Sequence, residues 1–522
     1  MPITPIPLAD QSNPGRYSQD GAGRLINCFV EPRSKEGRHP TPVYPVEGLS
    51  PFIDLPVSAT EQEGLLILED GSGNYLDETG LLNIELEGDP FAGAGVEADG
   101  VQQILTDNGY LWVITRNRVF KVSNSGSYTQ IGNIAGSGYI TADVNRDNQL
   151  AIANNGNFYI VSTSLDTITK VGAGSNQVDS GADVGDQTFY SPSSTCHYNG
   201  YFVVTYPNGR WQISALNNGL EWDDADLISF IFRGDDPVRC LTRGGDLVLF
   251  GTHSIEFWQD VASATGTPFS RVSALEIGIG PPLSAINIDE AVLFVDNDLS
   301  VRQLNGYQTV TVSTPFIARK IRQASDPDSI RATAYERDGH KFYSISCSDF
   351  TLTYNLATQL WHEERSKGLN RRVINAIAKL ENVTYAGNYN SGQLYTMSPD
   401  IYGEGTDTLT MEMHTPPVHV FPNRLRVKSL YIDAVFGQGL PEDVNADEAD
   451  PKILVYVSED SGENWVFLEE LSLGDINSKY EELRVQGVGT SDQNGFTFRL
   501  VISTPVVRGI LGMAADMTMV RA

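Results

Sequence analysis

Apolar and polar positions along this chain alternate in short bursts. The recurring unit is an apolar strand, a short polar turn and a second strand ending on an aromatic or aliphatic residue. It reads GLLILEDGSGNYL from Gly64, YLWVITRNRVFKV from Tyr110, QLAIANNGNFYIV from Gln149 and YFVVTYPNGRWQI from Tyr201. DLVLFGTHSIEFW from Asp246, AVLFVDNDLSVRQL from Ala291, KFYSISCSDFTLTY from Lys341 and VTYAGNYNSGQLYTM from Val383 continue it. The turns hold Asp-Gly, Asn-Gly, Asn-Asp or Ser-Gly pairs, whose residues accept positive φ and close hairpins. The starts recur at roughly 40 to 50 residues, the period of four-stranded propeller blades.

The strands, LWVIT and DLVLF among them, are apolar on both faces. Radial stacking of small sheets satisfies both faces by burying each sheet between two neighbours. The pattern therefore predicts an all-β chain built on a β-propeller. Eight hairpins, with the first and last sharing a closing blade, give about seven blades; six and eight stay open. One short helix is predicted at Ser313–Gln323, with Thr314 as its cap and Pro315 in its first turn.

Residues 1–50, rich in Pro and Gly, read as an extended N-terminal arm or edge segment, and 51–405 as the propeller. From about Leu409 the strands lengthen and alternate (HVFPNRLRVKSLYIDAVF, PKILVYVSEDSGENWVFLEEL, YEELRVQGV, GFTFRLVIST), so 406–522 reads as a β-sandwich-like tail domain. An acidic loop, PEDVNADEAD, interrupts it at Pro441–Asp450.

The chain has 522 residues, a hydrophobic fraction of 40% and a formal net charge of -30. So acidic a surface disfavours gripping phosphates, which takes clustered cations. It suits a passage that DNA slides through without sticking. Three basic clusters (Arg365, Lys367, Arg371 and Arg372; Arg319, Lys320 and Arg322; Arg424, Arg426 and Lys428) read as surface or subunit contacts. Cys28, Cys196, Cys240 and Cys347 lack C-x-x-C spacing and read as buried apolar residues. The segment MPITPIPLADQ has neither a basic n-region nor an apolar h-region, so no secretory signal is read there. No run approaches the roughly twenty apolar residues of a membrane span.

Candidate chemistry is sparse. Asp443, Asn445 and Asp447 imitate the start of a calcium loop but lack its later glycine and glutamate. No zincin, nucleophile-elbow or P-loop motif occurs, and His414 and His419 flank a Pro-Pro pair rather than pairing on a helix. WHEERS, with His362, Glu363, Glu364 and Arg365, offers an acid–base cluster or, more simply, a charged hairpin end beyond a packed Trp361. Ser458, Asp460, Gly462 and Trp465 fit the Asp-box S-x-D-x-G-x-x-W. Asp460 can accept backbone N–H bonds, Gly462 can take positive φ, and Trp465 can fold over the hairpin. Asn217, Gly219 and Trp222 repeat the spacing with Asn for Asp. The box reads as a structural staple, and no catalytic, cofactor-binding or metal-ligating residues are assigned.

RLINCFVEP (Arg24–Pro32), VEGLSPF, HSIEFW (His253–Trp258), STPFIARKI (Ser313–Ile321), GHKFYSI (Gly339–Ile345) and YNLATQLWHEERS (Tyr354–Ser366) occur in order. VYVSEDSGENW and FRLVISTPV follow them. Together these stretches resemble the packaged-DNA stabilisation proteins of short-tailed bacteriophages, the tail hub or nozzle family. The resemblance runs from about Arg24 to about Ile510. It implies a non-enzymatic virion protein without cofactors, made in the host cytoplasm and built into the tail. It implies a six-fold homo-oligomeric ring below the portal and adaptor that retains packaged DNA and forms the ejection channel. Implied partners are the adaptor or head-to-tail connector, tail fibre, spike or needle proteins, and packaged DNA passing without specific recognition. The acidic loop is a departure from the family pattern. The alternative is a glycan-binding or sialidase-like propeller, suggested by the Asp-box and the many aromatics; a WD-repeat scaffold ranks last, since the blades lack G-H and W-D signatures.

Overall fold

The computed structural model describes residues 3–16, 21, 23–32, 39–56, 68–69, 75–76, 100–136, 139–154, 156–171, 191–230, 232, 234–262, 268–441 and 446–521. Among them, six four-stranded antiparallel units follow one another along the chain, at 101–133, 140–171, 194–229, 237–275, 286–311 and 331–364. A seventh takes three strands from 374–398 and its fourth from Gly48–Asp54. The first strands of successive units touch, and that of the seventh returns to that of the first, so the blades close a ring.

The hairpin turns explain the local pairing. Asn108-Gly109, Asn199-Gly200 and Asp338-Gly339 all have positive φ at both residues, the backbone that a two-residue hairpin requires. The closing blade differs from the expected one. Of GLLILEDGSGNYL the described residues Leu68–Glu69 and Tyr75–Leu76 pair with each other, and the remainder of that hairpin lies outside the described residues. The ring closes through Gly48–Asp54, antiparallel to Gln393–Ser398 with Gly48 opposite Ser398. Backbone hydrogen bonds across the closing joint fasten the two ends of the propeller.

Each neighbouring pair of blades encloses its own apolar core. Trp112 and Ile152 meet between the first and second blades. Trp211 stacks edge-on against Trp258, with centroids 5.0 Å apart, between the third and fourth, and Phe250 against Phe294 at 5.2 Å between the fourth and fifth. The helix Pro315–Arg322 caps the core between the fifth and sixth blades with Ile317 and Ile321, and Thr314 Oγ1 accepts from Ile317 N at 3.3 Å. Near the axis, neutral groups bridge neighbouring blades. Thr195 N donates to Thr141 Oγ1 (2.9 Å), Thr242 Oγ1 to His197 O (2.7 Å), Asn287 Nδ2 to Thr242 O (2.9 Å) and Asn375 Nδ2 to Val101 O (2.8 Å). Where the chain enters the first blade, a Cβ on Gly100 would lie 1.8 Å from Tyr389 O, so only glycine fits there.

The tail is a β-sandwich. One sheet orders Cys28–Val30, Val43–Pro45, Ile510–Val520, Arg424–Ala434 and Leu483–Thr490, with Ile3–Ile6 also on Ile510–Val520. The facing sheet orders Arg24–Ile26, Met411–His414, Thr497–Ile502, Lys452–Ser458 and Val466–Ser472. Alternating residues meet between them, Leu425, Val427, Leu430 and Ile432 against Ile453, Val455, Phe498 and Leu500. The segment read as an arm or edge thus lies along both sheets of the sandwich and ends in the propeller. No described helix is long and apolar enough to cross a membrane.

Candidate functional site

The second sandwich sheet does not stop at Arg24–Ile26. That strand also pairs in parallel with Leu360–Glu364 of the sixth blade, placing Ile26 opposite Glu363. One nine-stranded sheet therefore runs from the propeller into the sandwich. At this seam the chain buries charge.

Glu363 takes a bidentate grip from Arg24, with Nε to Oε1 at 2.8 Å and Nη2 to Oε2 at 2.7 Å, and a further bond from Lys320 Nζ at 2.7 Å. Glu412 accepts from Arg365 Nη2 at 2.6 Å and from His414 Nε2 at 2.6 Å. Arg499 Nε lies 2.9 Å from Glu412 Oε1 but is misaligned for a hydrogen bond, so this contact is an ion pair only. Glu364 accepts from Arg372 Nη1 at 2.5 Å and from Thr353 Oγ1 at 2.8 Å, and pairs with His362 Nε2 at 3.2 Å. Arg372 also reaches Glu47 O, just before the closing strand of the propeller.

All three glutamates are buried. Burial alone would raise their carboxyl pKa values. Their partners overcome it: Arg24 and Lys320 bring Glu363 down to about 2, and Arg372 together with the hydrogen bond from His362 brings Glu364 down to about 2. His414, Arg499 and Arg365 do the same for Glu412, also about 2. Burial pushes the His414 imidazole below its ordinary value, and Glu412 opposes that shift. WHEERS is therefore a buried joint, not the charged hairpin end its polarity suggests. Its partners Arg24, Lys320, Glu412 and Arg499 were not singled out as a set in the sequence. The only local signal was MEMH, a carboxylate between two methionines.

Beside these pairs opens a cleft of about 470 Å³. Arg24, Lys320, Arg365 and Arg499 face it, with Phe316 and Trp465 as its aromatic walls. The Asp-box supplies that last ring. Ser458 Oγ accepts from Gly462 N at 2.8 Å, and Asp460 Oδ1 accepts from Ser458 Oγ at 2.6 Å and from Asn464 N at 2.8 Å. These bonds hold the turn, with Gly462 at φ 97°, and outweigh desolvation to bring the Asp460 carboxyl to about 2. Trp465 leans on His414, with centroids 4.8 Å apart, and lies 5.9 Å from the Arg499 guanidinium. The related turn in the third blade behaves as a plain staple: Trp222 is buried, donates its Nε1 to Gly219 O at 2.8 Å and packs on Phe158.

The other candidates separate. Arg371 and Arg372 are buried, whereas Lys367 is exposed and paired with Asp407. Arg319 and Arg322 bond to the carbonyls of Pro14, Gly15 and Asp298. Arg424, Arg426 and Lys428 lie exposed on one face of their strand. All four cysteines are buried and unpaired with one another as disulfides. Asp443 and Asn445 and the side chain of Asp447 lie outside the described residues.

No curated protein matches this sequence. Among solved structures, the WD40 β-propeller domain of Doa1 aligns at 9% identity and TM-score 0.36, over 57% of this chain and 93% of that one. PorZ of the type-IX secretion system of Porphyromonas gingivalis aligns at 9% identity and 0.35, over 64% and 44%. The computationally designed Ika8 protein aligns at 9% and 0.36, over 76% and 100%. A phage-stabilisation family model, described as bacteriophage P22 Gp10, beta-propeller, matches residues 89–402, more than half of the chain. The chain belongs to this bacteriophage β-propeller family.

Proposed function

We propose that the protein is a structural component of the phage tail, a hub or nozzle subunit. Six copies stack as a ring beneath the portal and adaptor, retain the packaged genome and line its exit. The observation that carries this reading is the family match across the blades. A stiff closed ring of sheets with an appended sandwich suits it, since a subunit of a cyclic assembly needs two different faces for its neighbours. The formal charge of -30 suits a conduit that repels DNA rather than binding it. In this role the protein performs no bond-breaking, and its partners are copies of itself, the adaptor, and spike or needle proteins.

Mixing the purified chain with tail components lacking it, and imaging the product by negative stain, tests the reading. Added density with six-fold symmetry below the adaptor is expected. Particles that never acquire it at saturating protein overturn the assignment.

A further inference from the structure

The cleft at the seam has a charge imbalance that its structural role does not use. Among the described residues, four cations face it against two carboxylates, Glu412 and Glu463, and the cations stay in excess when Glu363 behind the wall is counted. Two of them keep donors in hand. Arg365 uses one Nη on Glu412, and among the described residues no hydrogen bond engages its Nε or other Nη. Arg499 meets Glu412 with Nε at 2.9 Å, and its Nη groups make no hydrogen bond among the described residues. Its guanidinium is held instead against the rings of Tyr456 (5.2 Å) and Trp465 (5.9 Å). Held guanidiniums with open donors are arranged for an anion, and a carboxylate matches their fork.

We propose that this cleft is a receptor for an acidic side chain of a partner polypeptide. A glutamate or aspartate carboxylate enters between Arg365 and Arg499, and its apolar flank lies against Trp465 and Phe316. Three features select a polypeptide over a nucleic acid or an acidic polysaccharide. A volume of about 470 Å³ admits one or two side chains, not a duplex. The surrounding chain, at -30, repels a polyanion along its length, whereas one carboxylate on a neutral or basic partner meets only the local excess of cations. The walls come from the N-terminal segment, the propeller helix and the sandwich, so an inserted side chain would brace all three, as a docked partner does. The inference stands whether or not the hub reading holds.

Calorimetric titration of the full chain tests it with acetyl-Ala-Glu-Phe-amide, its Gln counterpart, D-glucuronate and inorganic phosphate. Saturable binding of the Glu peptide is expected, about tenfold or more tighter than the Gln peptide. Arg365→Gln should weaken it about fivefold or more while Arg365→Lys recovers part of the loss. Lys367→Gln, altering a nearby exposed cation outside the cleft, should leave it unchanged. Since Glu412 keeps His414 and Arg499, the Arg365 variants should unfold close to the parent midpoint, which separates loss of the site from loss of the fold. Equal affinity for the Glu and Gln peptides, or no binding of either at about 10 mM, overturns the proposal. So does tighter binding of glucuronate or phosphate than of the Glu peptide, which would make the cleft a site for sugar acids or phosphates.

Discussion

The molecule contains two kinds of joint. Between blades, apolar side chains meet and a thin row of hydrogen bonds, many of them between neutral groups, runs near the axis. Between propeller and sandwich, three short strands share a sheet, and buried carboxylates are matched across it to arginine, Glu363 to Arg24 and Glu412 to Arg365. The first joint repeats around the ring and needs only a closed surface, because apolar contact is non-directional. The second occurs once and has a single register pair, Ile26 with Glu363. Paired charges are directional and costly to mismatch, so they favour one docking of the two domains over a slipped one.

Removing a cation that holds a carboxylate of the seam strand, and a ring from an inter-blade core, probes the contrast at its largest. Arg372→Ala strands Glu364 in the interior and should cost about 3–5 kcal/mol. Phe250→Ala, between the fourth and fifth blades, should cost a similar 3–5 kcal/mol or so through its cavity. Denaturant midpoints measure both. Only the Arg372→Ala loss should be partly restored by Glu364→Gln, because only that one leaves a bare charge.

Acid separates the joints further. Glu363, Glu364 and Glu412 have folded pKa values depressed from 4.5 to about 2. Their contribution is therefore complete above the unfolded value and is lost as pH falls from there through the folded one. Thermal unfolding followed between roughly pH 6 and pH 3 should show a falling midpoint that begins near the ordinary glutamate range. Glu364→Gln should flatten the fall, whereas Phe250→Ala should shift the whole curve without changing its slope. The smallest effect belongs to the exposed pair of Lys367 and Asp407, 3.1 Å apart and both more than half exposed. Lys367→Ala should change stability by under about 0.5 kcal/mol.

The same contrast explains how much could be read beforehand. The blades were legible because their cause is local: an apolar run, an Asn-Gly or Asp-Gly turn, and another apolar run. Seven of the eight hairpins sit in the ring. The helix cap at Thr314 was legible for the same reason. The closing strand was not, because Leu49 opposite Met397 is a pairing across most of the chain, and GLSPFID has a proline that demotes it as a strand. The charged joint was hidden twice over. WHEERS looks solvated in isolation, and the residues that neutralise Glu363 come from segments as distant as Arg24 and Lys320. The Asp-box was legible as a turn, but the direction of Trp465 depended on His414 and Arg499, which no local pattern brings near.

The closing strand also orders the birth of the molecule. Gly48–Asp54 leaves the ribosome long before its partner Gln393–Ser398, and Ile3–Ile6 waits longer still for Ile510–Val520. Domains made early in translation ordinarily fold while the rest is being synthesised. Here the earlier strands can only be captured late: the ring waits for Gln393–Ser398 and the sandwich edge for Ile510–Val520, so the nascent chain carries unmatched edges while all the blades between are being made.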